Sequence, residues 1–303
     1  MSLYNILTHN NLITFVDSCD AVISEVARAH QTDGLSLRLQ LLLHLPRIID
    51  RITSPKSPEL KDEAIRLAQI VSRRRGPYWG WSDAPSRSIV SPRELIFDLA
   101  SEAEARVIHE RFHYLGSFRQ QDSQHYCLRT EGDGRLAALA TLSAMDLVHI
   151  EHLLPDGLLA REVRVLSRVF AFDWASHNSL SFLFGRLLRT IENRQREIKV
   201  ILTYVNPNMG FSGASYRASN WIRFGRELGT RYYYVDELYR TDRSLASEYG
   251  TTVEPGLRAL LGPRLEVSKI DLEPLYIYAY FLERKRRISI SKDLDLIFWR
   301  PTT

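Results

Sequence analysis

The hydrophobic periodicity changes near residue 85, and this change constrains the fold more than any other feature of the sequence. Over residues 11–75, apolar side chains return every few positions, as they do in amphipathic helices. One of these helices is predicted over Pro58–Arg74, after helix-breaking residues. The segment 76–86 is rich in Gly and Pro and interrupts the pattern. We therefore predict a helical N-terminal unit and linker over 1–85 and a second domain over 86–303.

The second domain has the element order of an α+β fold. Short apolar runs alternate with helical segments, and the turn Glu131–Gly134 joins two of the runs into a hairpin. Such an order predicts a mixed sheet flanked by helices. The predicted elements are a helix over Ser101–Phe112, strands over Tyr126–Arg129, Leu136–Leu142 and Val163–Phe172, a helix over Ser179–Arg194, a strand over Val200–Val205, a helix over Ser215–Phe224, and strands over Tyr232–Val235 and Leu275–Leu282.

Composition and charge narrow the class of protein. Cys19 and Cys127 lie far apart in the 303-residue chain, which indicates a reducing compartment, and neither belongs to a metal-binding pattern. The apolar runs are shorter than the roughly 18 residues that cross a bilayer, and the N-terminus lacks a secretory signal, so we expect a cytoplasmic protein without a membrane segment. The net charge is +4, and the basic runs Arg73–Arg75 and Arg284–Arg287 fit either a polyanion contact or a solvated surface.

Polar residues gather where the two central strands end. After the strand over Val163–Phe172, the chain turns through Ala175–Asn178 into a helix whose N-terminus can bind an anion, with Arg168 and His177 nearby. Ser176 or Asn178 is the expected N-cap, and a capped helix without a ligand fits these residues equally well.

The second central strand ends at Asn206 and is followed by a loop with two glycines that reaches Gly213. Loops at the carboxyl ends of strands are where open sheets bind ligands. Tyr216 opens the next helix, and both Tyr216 and Trp221 also fit ordinary core positions.

A family resemblance appears in five segments of the chain, which are Arg111–Gly116, Val165–Phe170, Asn178–Phe182, Thr203–Asn206 and Gly213–Trp221. Their order and spacing resemble the motif series of the phage Mom DNA-modification proteins, a branch of the GNAT superfamily of acyl-CoA-dependent acetyltransferases. The resemblance covers roughly residues 105–230. It implies a GNAT-like sheet that holds the cofactor between two splayed central strands and its pyrophosphate at a helix N-terminus.

The resemblance also implies an activity and a set of site residues. The expected reaction uses acetyl-CoA to modify N6 of adenine in DNA, giving carbamoylmethyl (acetamido) adenine. The expected cofactor-binding residues are Arg168, His177, Asn178 and Ser179. The expected catalytic residues are His113, Tyr114, Ser181, Asn206 and Tyr216.

One position departs from the pattern of the Mom proteins, and one segment departs from that of ordinary acetyltransferases. Asn206 stands where Mom proteins carry an Asp, and an amide cannot act as a general base. Either another group takes the proton, with Asp173, His177 and His113 as candidates, or the activity is altered or lost. The glycine-rich pyrophosphate loop of ordinary acetyltransferases is also absent, so acyl-CoA binding would depend on Arg168 and the helix start.

The mechanism that follows is acyl transfer to an exocyclic amine. Tyr216, whose ordinary pKa is about 10, would protonate the departing thiolate, while Asn206 would orient the amine or a water by hydrogen bonds. Backbone N–H groups between the parted strands would stabilise the oxyanion. A flipped-out base would stack on Tyr114, Trp174 or Trp221.

Contacts to DNA phosphates are expected from a short basic stretch. It contains Arg217, Arg223 and Arg226, which could instead pair with nearby acidic residues. Two other functions remain open: the same fold could acylate a protein, a tRNA or a small amine, or it could bind nucleic acid without catalysis. The N-terminal unit would serve any of these as a surface for a protein partner or as a clamp on DNA.

Overall fold

A computed structural model describes residues 9–86, 88–89, 91–118, 122–145, 158–227, 230–282 and 298–299, and the predicted basic run 284–287 lies outside them. The helices are α1 His9–Asp17, α2 Asp20–Ala29, α3 Gly34–Ile48, α4 Pro58–Arg75, α5 Glu102–Val107, α6 Ser179–Arg194, α7 Ala214–Ala218, α8 Asp242–Tyr249 and α9 Glu254–Leu261. The strands are β1 Leu95–Leu99, β2 Ser123–Thr130, β3 Leu136–Ala144, β4 Val163–Ala171, β5 Val200–Val205, β6 Ile222–Glu227, β7 Tyr233–Val235, β8 Leu238–Arg240, β9 Leu265–Val267, β10 Leu275–Phe281 and β11 Phe298–Trp299.

Helices α3 and α4 begin at side chains that cap them. Asp33 accepts a hydrogen bond from the backbone N–H of Ser36 at 2.6 Å, so α3 starts directly after it. Ser57 caps α4 in the same way, with Pro58 in the first turn, where its missing N–H costs nothing. The helix predicted over Pro58–Arg74 is therefore confirmed, with one more residue at its end.

An eight-stranded sheet forms the centre of the remaining chain, in the order β1-β2-β3-β4-β5-β10-β6-β11. The pairs β4/β5 and β6/β11 are parallel and the other neighbours are antiparallel. Helix α6 packs against β2, β3 and β4 through its buried stripe, which includes Leu183, Leu187 and Ile191. The predicted α+β class, a mixed sheet flanked by helices with a helical unit before it, is confirmed.

The parallel strands β4 and β5 separate along their length. They pair only from Val163 opposite Val200 to Val165 opposite Leu202, although both strands continue. The pairing of β3 with β4 shifts register at this point, because Leu142 faces Leu166 whereas Thr141 faces Arg168. Such a bulge bends a strand away from its neighbour. A gap therefore opens in the middle of the sheet.

The helix predicted over Ser215–Phe224 is wrong in its second half. Helix α7 ends at Ala218, and Asn220 takes a left-handed conformation with φ +62° that turns the chain. The residues that follow form β6, which pairs with β10 instead of continuing the helix. The sequence analysis also missed β1, α8, α9 and the outer strands of a second sheet, ordered β8-β7-β9.

The N-terminal helices and the second sheet share one hydrophobic cluster. It joins residues of α1 to α4 with Met209, Tyr232 and Tyr234. The hydroxyl of Tyr234 also donates to the backbone oxygen of Leu43 at 2.8 Å. Helices α1 to α4 thus pack directly on the chain that follows β5, and the division of the chain at residue 85 stays a prediction. None of the helices in the described ranges has the length and apolar character needed to cross a bilayer.

Candidate functional site

A cavity of about 1010 Å³ opens where β4 and β5 separate. Its walls come from the ends of these strands, the loop after β5, the start of α7 and the residues around β7, β8 and α8. Five of the predicted site residues line it together: His113, Tyr114, Arg168, Asn206 and Tyr216. The fold therefore gathers side chains that lie more than a hundred positions apart in the sequence.

Tyr216 lies on the α7 wall of the cavity between other aromatic rings. Its ring stacks on Phe184 at 5.0 Å and on Tyr278 at 5.7 Å between centroids. Its hydroxyl oxygen lies 3.4 Å from Oγ1 of Thr203, which donates to the backbone oxygen of Leu166 across the gap. Burial raises the pKa of Tyr216 to about 12. The phenol therefore stays protonated at neutral pH and is a stronger candidate for a hydrogen-bond donor than for a proton donor.

Asn206 is held by its neighbours through both ends of its amide. Nδ2 donates to the hydroxyl of Tyr232 at 2.7 Å, and Oδ1 accepts from the backbone and side-chain nitrogens of Asn208 at 3.1 and 2.9 Å. Asn208 in turn contacts the backbone of Glu273, which leads into β10. The amide thus fixes the turn after β5 and leaves one N–H of Nδ2 for a ligand.

His113 and Tyr114 line the cavity beside the loop that follows β5. Nδ1 of His113 accepts a hydrogen bond from the backbone N–H of Leu115 at 3.2 Å, so in the neutral ring the proton lies on Nε2. Burial, together with the charge of Arg168, holds the pKa of His113 well below its ordinary value. The ring stacks on Tyr114, which contacts Phe211 at the rim of the cavity. His113 is therefore a hydrogen-bond donor to the cavity at neutral pH.

Arg168 points a cation into the cavity without an acidic partner. Its Nη1 donates to the backbone oxygen of Ser167 at 2.8 Å, whereas its buried Nε has no hydrogen-bond partner. Within the described part of the chain, no carboxylate lies at ion-pair distance from it. Burial lowers the pKa of Arg168, although an arginine stays charged at neutral pH. An anionic group of a ligand would satisfy this guanidinium.

The remaining predicted cofactor and helix-start residues lie outside the cavity lining. His177 and Asn178 are exposed, and Asn178 has φ +66° and makes no capping bond, in contrast to its expected N-cap role. Ser179 is buried and donates through Oγ to the backbone oxygen of Ser176 at 2.6 Å. Neither Ser181 nor the exposed Asp173 lines the cavity. Of the candidates for a proton acceptor, only His113 reaches it.

The three predicted DNA-binding arginines also lie outside the cavity lining and differ in their surroundings. Arg217 is held by the hydroxyl of Tyr278 at 3.0 Å and by the backbone oxygen of Ser212, so it fixes the loop before α7. Arg223 and Arg226 are exposed on β6, and the guanidinium of Arg223 lies 3.7 Å from the ring centre of Tyr276. These two remain candidates for phosphate contacts.

Sequence reasoning missed several residues that line the cavity, above all Glu227 and Asp242. Partial burial and the charge of Asp242 raise the pKa of Glu227 to about 7, and desolvation by the cavity walls also raises the pKa of Asp242, although its side chain is exposed. No motif marks either residue, because their proximity arises from β6 and α8, neither of which was predicted.

Among the described residues, no group of three or more His, Cys, Asp or Glu side chains is arranged to bind a metal ion.

Comparison with known proteins places the chain in a family. The sequence model of the Mom protein family matches residues 94–295, whereas no curated protein sequence matches the chain. Among solved structures, spermidine/spermine N-acetyltransferase SpeG from Vibrio cholerae with manganese ions is 8% identical, over 65% of this chain and 98% of that one, with a TM-score of 0.37. The spermidine N-acetyltransferase of the same organism with CoA and spermine is 8% identical, over 63% and 96%, with a TM-score of 0.36. The match over residues 94–295 covers most of the chain and confirms the resemblance noted from the five segments: the chain belongs to the Mom protein family.

Proposed function

We propose that this protein is a GNAT-like acyltransferase that transfers an acyl group from acetyl-CoA to the exocyclic N6 of adenine in DNA. The observation that carries the proposal is the cavity at the gap between β4 and β5, where His113, Arg168 and Tyr216 converge in a chain of the Mom family. The residues present fit an acyl-CoA, because Arg168 offers an unpaired guanidinium to an anionic group of the cofactor.

The chain's own residues would act on the bond changes of acyl transfer. The amine nitrogen attacks the thioester carbonyl, a C–N bond forms, and the C–S bond breaks with its electron pair on sulfur. Backbone N–H groups of β4 at the gap would stabilise the oxyanion, and the Tyr216 hydroxyl would donate a hydrogen bond to the leaving sulfur. Phe211, which is 39% exposed at the rim beside Tyr114, would stack against an extruded base.

The test is mass spectrometry of nucleosides from plasmid DNA of cells that express the chain. The expected result is a deoxyadenosine-derived adduct that the Tyr216→Phe variant loses or makes at least about tenfold more slowly. The adduct's mass identifies the group transferred, since a carbamoylmethyl group contains an amide nitrogen that acetyl-CoA does not supply. Unmodified DNA from cells with soluble, folded protein would contradict the proposal.

Binding of CoA and of DNA to the purified protein distinguishes the other functions considered above. If the purified protein binds CoA but leaves DNA unmodified, the acceptor is a different amine on a protein, a tRNA or a small molecule. If it binds DNA and shows no binding of CoA, the protein acts without this catalysis.

A further inference from the structure

The acidic side chains of the cavity differ in whether a cation neutralises them. Glu227, Asp242 and Glu254 line the cavity. Glu254 pairs with Arg231 at 2.6 Å and with Arg258 at 2.7 Å. Glu227 and Asp242 have no ion pair and no side-chain hydrogen bond to any part of the chain that the structure describes. Glu227 is half-buried and Asp242 is exposed, and a bound group that donates N–H bonds would offset the cost of the partial burial of Glu227.

The strand register places Glu227 on the other face of the sheet from Tyr216. Arg226 faces Tyr276 and Glu227 faces Leu275, and successive residues of a strand point to opposite faces. Tyr276 and Tyr278 share a face, and the ring of Tyr278 stacks on Tyr216. Glu227 therefore reaches the cavity from the opposite face, and the gap between β4 and β5 connects the two.

The other polar groups of the cavity do not supply a proton acceptor. The Asn206 amide cannot take up a proton, and its oxygen already accepts two hydrogen bonds. His113 has its unprotonated nitrogen occupied by the backbone N–H of Leu115. His177, the other histidine predicted for the site, lies outside the cavity lining. Among the described residues, Glu227 and Asp242 are the lining carboxyls left without a cation.

We propose that Glu227 and Asp242 bind the acceptor amine from this face, and that Glu227 takes the proton that the amine nitrogen loses as the C–N bond forms. This rests on the acyl transfer proposed above. The proton moves from nitrogen to a carboxylate oxygen of Glu227, and the electron pair of the broken C–S bond leaves on sulfur beside the hydroxyl of Tyr216. Glu227 thereby performs the step that Asn206 cannot.

The environment of Glu227 suits this role. Burial and the nearby Asp242 raise its pKa to about 7, and proton transfer is most efficient when the pKa of the acceptor lies near the working pH. Removing the charge of Asp242 would lower the pKa of Glu227, because one of the two causes that raise it would be gone.

The experiment compares purified full-length proteins on an adenine-containing single-stranded oligodeoxynucleotide with acetyl-CoA, with the adduct measured by mass spectrometry across pH. Glu227→Gln should slow adduct formation about a hundredfold or more and remove the rise in rate that the unsubstituted protein shows up to about pH 7. Asp242→Asn should move the midpoint of that rise to lower pH, a shift that a purely structural role would not produce. Glu192→Gln, on the exposed side of α6, is the matched control and should change neither quantity.

The outcomes separate a failure of the proposed acyl transfer from a failure of the role of Glu227. An unsubstituted protein that forms no adduct overturns acyl transfer to DNA and this inference with it. An active protein whose Glu227→Gln variant keeps the same rate and pH profile overturns the inference alone. If Glu227→Gln fails to fold, Asp242→Asn decides, because an unchanged midpoint would remove the carboxyl pair from the reaction.

Discussion

At the scale of one residue, Asn206 has a structural role in the wall of the cavity. Its amide donates to Tyr232 and accepts from Asn208, so it fixes the turn that forms one wall of the cavity. A carboxylate at this position would keep both acceptor bonds but could not donate to Tyr232, which would have to donate instead. The amide of Asn206 is therefore matched by its neighbours, and this position offers the cavity no carboxylate.

Gly213 allows the loop before α7 to approach Tyr278. It has φ +71°, and a Cβ atom there would lie 2.6 Å from the Tyr278 hydroxyl oxygen. Gly213→Ala should lower the free energy of unfolding by about 1–2 kcal/mol for the left-handed backbone and by a further amount, about 1–3 kcal/mol, for the clash. Urea denaturation monitored by circular dichroism measures the sum.

Gly132 supplies the matched control for this substitution. Its φ is +93°, and a Cβ atom would meet nothing within 4 Å. Gly132→Ala should therefore cost only the backbone component, about 1–2 kcal/mol. Equal losses for the two variants would mean that the contact with Tyr278 does not restrict position 213.

His44 makes folding stability depend on pH. Its Nδ1 lies 2.9 Å from the backbone oxygen of Gln40, and its Nε2 accepts from the backbone N–H of Tyr239 at 3.3 Å, which is the arrangement of a neutral ring. Burial lowers its pKa to about 4, below the ordinary value of 6.5. Between pH 6.5 and about pH 4, the unfolded chain binds more protons than the folded chain. The contribution of His44 to the free energy of unfolding is therefore present above pH 6.5 and is lost as the pH falls toward 4.

The expected loss from His44 is about 2 kcal/mol between pH 7 and pH 5. The measurement is the free energy of unfolding across this range for the unsubstituted protein and for His44→Gln. From pH 7 to pH 5, the free energy of unfolding should fall by about 2 kcal/mol less in the variant than in the unsubstituted protein. Parallel curves would show that His44 is not held neutral in the folded state.

At the scale of elements, periodic segments could be predicted from the sequence and short ones could not. The buried stripe of α6 and the apolar runs of β2 to β5 were long enough to indicate their type. Helix α7 has five residues, and β6 has its alternation broken by a bulge opposite Ile277 and Tyr278. The sequence therefore predicted the loop and Tyr216 that line the cavity, but not the strand that brings Glu227 to it.

The bulge in β6 gives this strand a basic face. Arg226 lies opposite Tyr276, and Arg223 lies over the ring of the same tyrosine, so both arginines emerge on one side of the sheet. Two cations on one face can contact neighbouring phosphates and release their counterions. The double reversal Arg223→Glu/Arg226→Glu should weaken DNA binding and reduce the slope of log K against log salt by about 1–2.

The matched control for these arginines is Arg28→Glu/Arg51→Glu, which changes the net charge equally on exposed positions of the N-terminal unit. Fluorescence anisotropy with a labelled duplex over a range of salt concentrations measures both doubles. A control with the same loss of slope would mean that binding follows net charge rather than the face of β6.

At the scale of the whole molecule, an ion cluster around one buried arginine joins the N-terminal unit to the second sheet. Arg47 on α3 is 3% exposed and contacts Glu63 of α4 at 3.3 Å, Glu266 of β9 at 3.1 Å and Glu237 at 3.4 Å. Arg66 also binds Glu63 at 2.6 Å. The polar cluster lies beside the hydrophobic cluster that α1 to α4 share with Tyr232 and Tyr234. Such a shared interior couples the folding of the two parts.

Arg47→Met should therefore destabilise the whole molecule rather than release its N-terminal unit. Removing the arginine leaves the buried Glu63 paired with Arg66 alone, so the cost should be at most about 3–5 kcal/mol, the cost of a fully broken buried pair. Arg38→Met breaks an exposed pair with Asp17 and should cost at most about 1 kcal/mol. Tryptophan fluorescence reports mainly on the chain after α4, and far-UV circular dichroism reports on all helices. Because the two parts share one interior, the two signals should change together in urea for the unsubstituted protein and for Arg47→Met. Separate transitions would instead mean that residues 1–85 fold as an independent domain.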